Sequence, residues 1–305
     1  MSQHSKGYAW KQVKRCKYLY LILLLPIIYY VTFKYAPMYG VIVAFKNYNI
    51  VKGIIHSPWA GLKYFRKFIA DPYFWKVVRN TFLLSFYNIL FGFPMPVIIA
   101  VLLNEVTNMK FKRVIQSITY LPHFISTVVV CGMLVNVLAS DGLVNQIVRA
   151  FGHDTVQFLM YPQYFRTIYI ISEIWQTAGW TSIIYLAALT GIDQEVLDAA
   201  TIDGATRLQR IWHVTIPAIL PVISTMLIMN LGRMMNLGYE KVLLLYNGST
   251  YETADIISTY VYRRGILGNS FSYATAVGLF QSVVGIVLLL MANTVSKKLS
   301  ETSLW

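Results

Sequence analysis

The sequence predicts an all-α integral membrane protein with six transmembrane helices and both termini in the cytoplasm. Three observations carry this reading. Of the 305 residues, 56% are hydrophobic and only 13% are charged, where an ordinary soluble domain carries about 25% charged residues. The mean hydropathy is +0.54. The apolar residues gather into long stretches nearly free of charge, the pattern of membrane-spanning helices. In a soluble chain the net charge of +13 would point to nucleic acid. Here, basic residues that flank spans and face anionic lipid account for it, and no nucleic-acid partner is expected.

Residues 1–17 carry Lys6, Lys11, Lys14, Arg15 and Lys17 and no acid, so they should stay in the cytoplasm. The apolar run behind them has no small-residue cleavage site and is read as a retained span, not a signal peptide. This first span, residues 18–33, is short for a bilayer, but Lys34 can snorkel and Tyr35 can anchor. Residues 35–79 form the longest connection. Trp59 and Trp75 suit a membrane interface, with a short helix lying flat. The second span, residues 80–104, holds Pro94 and Pro96, which predict a kink. A basic turn with Lys110, Lys112 and Arg113 leads to the third span, residues 114–140. Residues 141–166 are an outer connection with Gly142 and Gly152 as turn signals. The fourth span, residues 167–192, is interrupted only by Glu173. The fifth, residues 216–237, holds Arg233. Residues 238–270 read as a polar outer loop, and residues 271–294 as the sixth span.

Six spans place the termini on one side, and the basic N-terminus makes that side the cytoplasm. Across the whole chain, Lys and Arg are no more frequent inside than outside, so the orientation rests on the N-terminus and on the internal loop between the fourth and fifth spans. The chain divides into a tail (1–17), a first span with its outer connection (18–79), a core (80–295) with that internal loop (193–215), and a second tail (296–305). There is no internal repeat. Cys16 and Cys131 lie far apart with no CxxC partner, which argues against a disulfide framework or a zinc site. Cys131, in an apolar run, reads as a packing residue.

The internal loop is a polar, helix-prone island between two apolar runs. Acidic residues from Asp193 suit a helix start. Gly204 can bend or end that helix, and Asp203 can cap the next helical piece. That second piece carries Arg207 and Arg210 opposite Leu208, Ile211 and Trp212, and Pro217 and Pro221 kink or reset the chain beyond it. From these residues alone, the island is either a docking element or an ordinary solvated connection.

Its sequence, DAATIDGATRLQRIWHVTIPAILP over residues 198–221, resembles the E-A-A-x-x-x-G loop of the membrane subunits of binding-protein-dependent ABC importers. The fuller sugar-uptake form, E-A-A-x-I-D-G-A followed by an aromatic residue and I-x-L-P, matches better still. The resemblance assigns the ATPase contact to Asp198, Ala199, Ala200, Asp203, Gly204, Ala205, Ile216 and Pro217. Asp198 stands where the family usually has Glu, which keeps the charge and shortens the reach by one methylene. The G-L-x-x-F…F-W-x-x-x-x-N-T order from Gly61 to Thr81, Tyr120-Leu121-Pro122, and the ending KLSETSLW at residues 298–305 resemble the polysaccharide-type sugar permeases. The resemblance implies the type I importer fold and a bacterial cell-membrane location. It also implies a second, different permease subunit, two cytoplasmic ATPase subunits, an extracellular solute-binding protein and an oligosaccharide cargo. ATP and Mg would sit on the ATPase, with no cofactor on this chain.

Charges within spans are usually paired or functional. Glu173 and Arg233 lie roughly 6–9 Å below the outer boundary at about 1.5 Å per residue, a depth at which they can pair. Glu173, Gln176 and Trp180 share a helix face, as do Asn230 and Arg233. Gln281 lies beside a small-residue stripe of Ala274, Gly278 and Gly285. Amides bond hydroxyls and rings cover C–H surfaces, so these residues suit a sugar pathway. Interhelical hydrogen bonding explains the same amides without a ligand. No G-x-x-x-x-G-K-[ST], H-E-x-x-H or G-x-S-x-G occurs, so the chain is expected to be no enzyme and to bind no metal. The alternative function is an ion-gradient-driven transporter with Glu173 as its protonatable group.

Overall fold

The structure, a computed structural model, describes residues 15–300. The basic tail at Lys6, Lys11 and Lys14 and the terminal residues 301–305 lie outside the described residues. Among those described, the regular structure is entirely helical. Four helices are long and apolar enough to cross a membrane. They are α1 (Lys17–Phe45), α3 (Phe74–Asn104), α9 (Arg207–Gly232) and the Phe271–Thr294 part of α13 (Phe271–Ser300). A short helix, α2 (Lys63–Ile69), precedes α3. It does not merely lie at an interface, because its Phe68 is buried in the core with Tyr260 and Tyr273.

The expected third span is not one rod. It is α4 (Met109–Phe124) and α5 (Thr127–Val137), bent by 100°. If this pair counts as one span, the total is five. Pro122 opens a 3-10 turn at the end of α4, Ile125 and Ser126 are extended, and the Ser126 side chain caps α5. After α6 (Leu143–Ala150) comes α7 (Pro162–Leu189), whose 28 residues are long enough to span. Polar residues such as Arg166, Glu173 and Gln176 keep it outside the apolar set. Gly179 brings α7 against α4, where a Cβ would collide with the Thr119 carbonyl.

Pro37, Pro94 and Pro217 sit in helices that continue past them. Val31–Tyr35, Asn88–Gly92 and Ile211–Thr215 are π turns, each ending two residues before Pro37, Pro94 or Pro217. Proline lacks an N–H and its ring collides with the carbonyl four residues back. A wider turn with i→i−5 bonding moves that carbonyl aside. Pro217 therefore does not reset the chain; α9 runs through it.

The polar outer loop expected at 238–270 is instead helical. It contains α10 (Tyr239–Leu245), α11 (Tyr251–Ala254) and α12 (Ile257–Val261), the last continuing as a π turn to Leu267. Val242, Leu245, Ala254 and Ile256 pack with Leu84, Phe165 and Tyr169 in one core cluster. The segment folds back into the bundle because apolar pairs such as Val242 with Leu245 and Ile256 with Ile257 find buried partners there. Cys131 is buried as expected.

Candidate functional site

A cavity of about 590 Å³ opens where α3, the α4–α5 break, α7, α9 and α10 converge. Four of the expected pathway residues line it: Glu173 and Gln176 from α7, and Asn230 and Arg233 from α9. Ser85, Asn88, His123, Ser126, Glu240 and Lys241 join them.

Glu173 does not pair with Arg233. Lys241 Nζ lies 2.6 Å from Glu173 Oε2, with the lysine side chain only 5% exposed. The lysine also sits 5.9 Å from the Tyr169 ring centroid. Helical depth alone favours Arg233, but α10 folds back into the bundle and delivers a nearer cation. Lys241 was hidden in the sequence because it stood in an apparent loop. Its one signal was the apolar run Val242-Leu243-Leu244-Leu245 directly behind it. Arg233 remains exposed with no ion pair among the described residues.

The two amides are half engaged. Gln176 Nε2 donates to the Ile125 carbonyl at 3.1 Å, holding the extended residues of the α4–α5 break. Asn230 Nδ2 donates to the Met226 carbonyl at 2.8 Å. Trp180 is not among the lining residues. It stacks on His123 with ring centroids 4.8 Å apart and meets Phe124 edge-on, so it backs the wall. Gln281 is not brought to this cavity either. Its amide nitrogen bonds the Met235 carbonyl and reaches Asn236 Oδ1 and Ser258 Oγ, tying α13 to the turn after α9 and to α12. Among the described residues no group of His, Cys, Asp and Glu could hold a metal ion.

The polar island forms α8 (Gln194–Ile202) and the start of α9. The Asp193 side chain caps α8 by accepting from the Glu195 amide at 3.0 Å. Asp198 is exposed and accepts from Gln194 at 3.1 Å. Asp203 is the C-cap of α8, not the N-cap of the next helix. Gly204 adopts φ +81°, and the Ala205 amide returns to the Ala200 carbonyl at 3.0 Å, a Schellman ending. Thr206 caps α9 in a reciprocal box with Gln209. Arg210 donates to Thr201 at 2.7 Å, bracing the two helices. Ile202 is 87% exposed and Trp212 65%, with Leu208 exposed beside them. Past Ile216 and Pro217, Ile219 is buried with Ala100, Val101, Tyr185 and Leu189.

Away from the island, Asp71 joins the α2–α3 connection to α12 and α13. Tyr73 N–H donates to it at 2.9 Å, and the Tyr260 and Tyr273 hydroxyls donate at 2.7 and 3.1 Å. Burial works to raise this carboxyl, but the three donors win and hold it below the usual carboxylate range.

Residues 68–301 match the family described as "Binding-protein-dependent transport system inner membrane component". The chain is 43% identical over 290 residues to the polygalacturonan/rhamnogalacturonan transport system permease protein YteP of Bacillus subtilis (strain 168), covering 95% of this chain and 90% of that one. Protein LplB of the same organism is 43% identical over 302 residues, covering 98% and 95%. A solved bacterial ABC transporter involved in the import of the acidic polysaccharide alginate is similar at 42% identity and a TM-score of 0.88, covering 96% of this chain and 99% of that one. A bacterial alginate ABC transporter in complex with alginate pentasaccharide-bound periplasmic protein matches with the same identity and TM-score, covering 97% and 99%.

Proposed function

The chain belongs to the binding-protein-dependent transport system inner membrane components, and we propose that its 590 Å³ cavity is the passage of an acidic oligosaccharide. It is the permease subunit of an ABC sugar importer in the bacterial cell membrane, works with a binding protein, and is not itself an enzyme. The cavity chemistry carries the substrate reading. Arg233 is a cation with no carboxylate partner among the described residues, while Lys241 is already neutralised by Glu173. The oxygens of Gln176 and Asn230 are left to accept from hydroxyls. The same pairing engages Glu173, the residue on which an ion-gradient mechanism would rest.

In this reading six spans cross the membrane, with α7 among them and both termini inside. A second permease subunit completes the passage, and of two ATPase subunits, which hold ATP and Mg, one docks on the island. Exposed Ile202, Leu208 and Trp212 supply apolar area for that contact, and Asp198 and Asp203 supply charge at its edge. ATP-driven closure of the ATPase pair moves α8. Because α9 begins in the island and ends at Arg233 beside the cavity, the same helix changes access to the sugar.

The test uses the assembled transporter in proteoliposomes with its binding protein. Arg233→Gln should lower ATP hydrolysis stimulated by an oligogalacturonate and leave basal hydrolysis intact. An unchanged response would remove the acidic-substrate reading. Copurification of a second permease and a P-loop ATPase with the tagged chain, the ATPase being lost on Asp198→Ala, tests the assembly separately.

A further inference from the structure

On the other flank of α7 lies a second groove, of about 660 Å³, which shares no lining residue with the sugar cavity. Gln163 and Arg166 form its polar end; Phe91, Met95, Ile171 and Ile174 form its body. From Arg166 to Ile174 the helix rises about 12 Å. The body faces outward, with Phe91 55% and Ile171 62% exposed.

The polar end carries charge that the protein leaves unanswered. Arg166 Nη2 donates to Asn80 Oδ1 at 3.0 Å, a neutral acceptor, and its Nε is buried with no partner. The neighbouring charge felt at Arg166 is a second cation, the exposed Arg79. Among the described residues no carboxylate pairs with either. One cation without a carboxylate at the end of an apolar groove, with a second cation near it outside the lining, calls for an anion with an apolar body. Exposed Trp75 and Tyr161, on the same ends of α3 and α7, are the residues that mark headgroup level.

We propose that this groove binds an anionic phospholipid from the leaflet opposite the coupling island, its phosphate on Arg166 and Arg79 and an acyl chain along Phe91, Met95 and Ile171. Attraction to an anionic headgroup adds to the burial of the chain. The site depends on membrane insertion alone, so it stands or falls apart from the identity of the sugar.

The test is native mass spectrometry of the assembled transporter, taken from bilayers of equal phosphatidylglycerol and phosphatidylcholine. The wild type should retain phosphatidylglycerol in preference. Arg166→Gln should reduce that retention about tenfold, the loss expected for one charge-assisted hydrogen bond, and Arg166→Lys should keep most of it. Should Arg166→Gln fail to assemble, Ile171→Trp fills the groove from an exposed position and should expel the lipid. Equal retention of both lipids by the wild type, or undiminished phosphatidylglycerol in Ile171→Trp, overturns the proposal. So does a disulfide from Ile171→Cys to a cysteine on another transporter subunit, which would show the groove covered by protein.

Discussion

Lys241 and Glu173 stand 68 positions apart in the chain and 2.6 Å apart in the structure. The pair fastens α10 to α7 at the cavity wall. Removing the lysine leaves a partly buried carboxylate without its cation. Lys241→Met should therefore destabilise the purified assembly by about 3 kcal/mol, the low end for breaking a buried pair, since Glu173 keeps some contact with solvent. Lys241→Met combined with Glu173→Gln should recover most of that loss. Thermal melting of the three assemblies decides; equal melting of the single and double variants would mean that the charges do not act as a pair.

Gly204 is the one left-handed residue of the polar island. A Cβ there would meet no atom within 4 Å, so Gly204→Ala tests conformation alone and should cost about 1 kcal/mol. Gly204→Pro cannot adopt φ +81° at all. It should leave the protein in the membrane and abolish uptake, with ATP hydrolysis no longer responding to loaded binding protein. Normal uptake by Gly204→Pro would remove the island from the coupling path.

Gly179 sets the spacing of α7 and α4. Its missing Cβ faces backbone, the Thr119 carbonyl, which cannot swing away as a side chain would. Gly179→Ala should lower the melting point by an amount matching about 1–3 kcal/mol of overpacking, and Gly179→Val should lower it further. Because Gln176 holds the α4–α5 break one turn away, both variants should also slow sugar uptake.

Asp71 gives the fold an acid limit. Its folded pKa is depressed, so its stabilisation is complete above the ordinary carboxylate value of about 3.9 and is lost as pH falls through the lower folded value. Melting temperature followed downward from pH 6 should drop for the wild type in that acid window. Asp71→Asn should start lower and change less there. Parallel curves would show that another group sets the limit.

The parts of this fold legible in the sequence were those whose physics is local. Apolar stretches at 80–104, 216–237 and 271–294, with Arg233 as their one charge, need no partner to declare themselves, and each overlaps a long apolar helix. The helical form of the polar island was legible because Gly204 acts on its own backbone. The features that escaped notice depended on tertiary contact. Lys241 reads as a loop residue until α10 packs against Leu84 and Tyr169. The α4–α5 break is held by Gln176 from a different helix, and Trp180 follows the face of Glu173 yet turns to stack on His123. Gln281 shows the same limit: helical spacing finds its face, but the carbonyl of Met235 claims it.

The π turn at Ile211–Thr215 also has an angular meaning. A π turn contains one residue more than the surrounding α-helix requires, and each residue advances a helix by about 100°. The azimuth of exposed Leu208, relative to the azimuth at which Ile219 and Asn230 face the bundle, is thus stored as a residue count. Substitutions within these five positions can alter packing without disturbing that phase, whereas deleting any one of them would turn the Leu208 face by more than a quarter of a revolution.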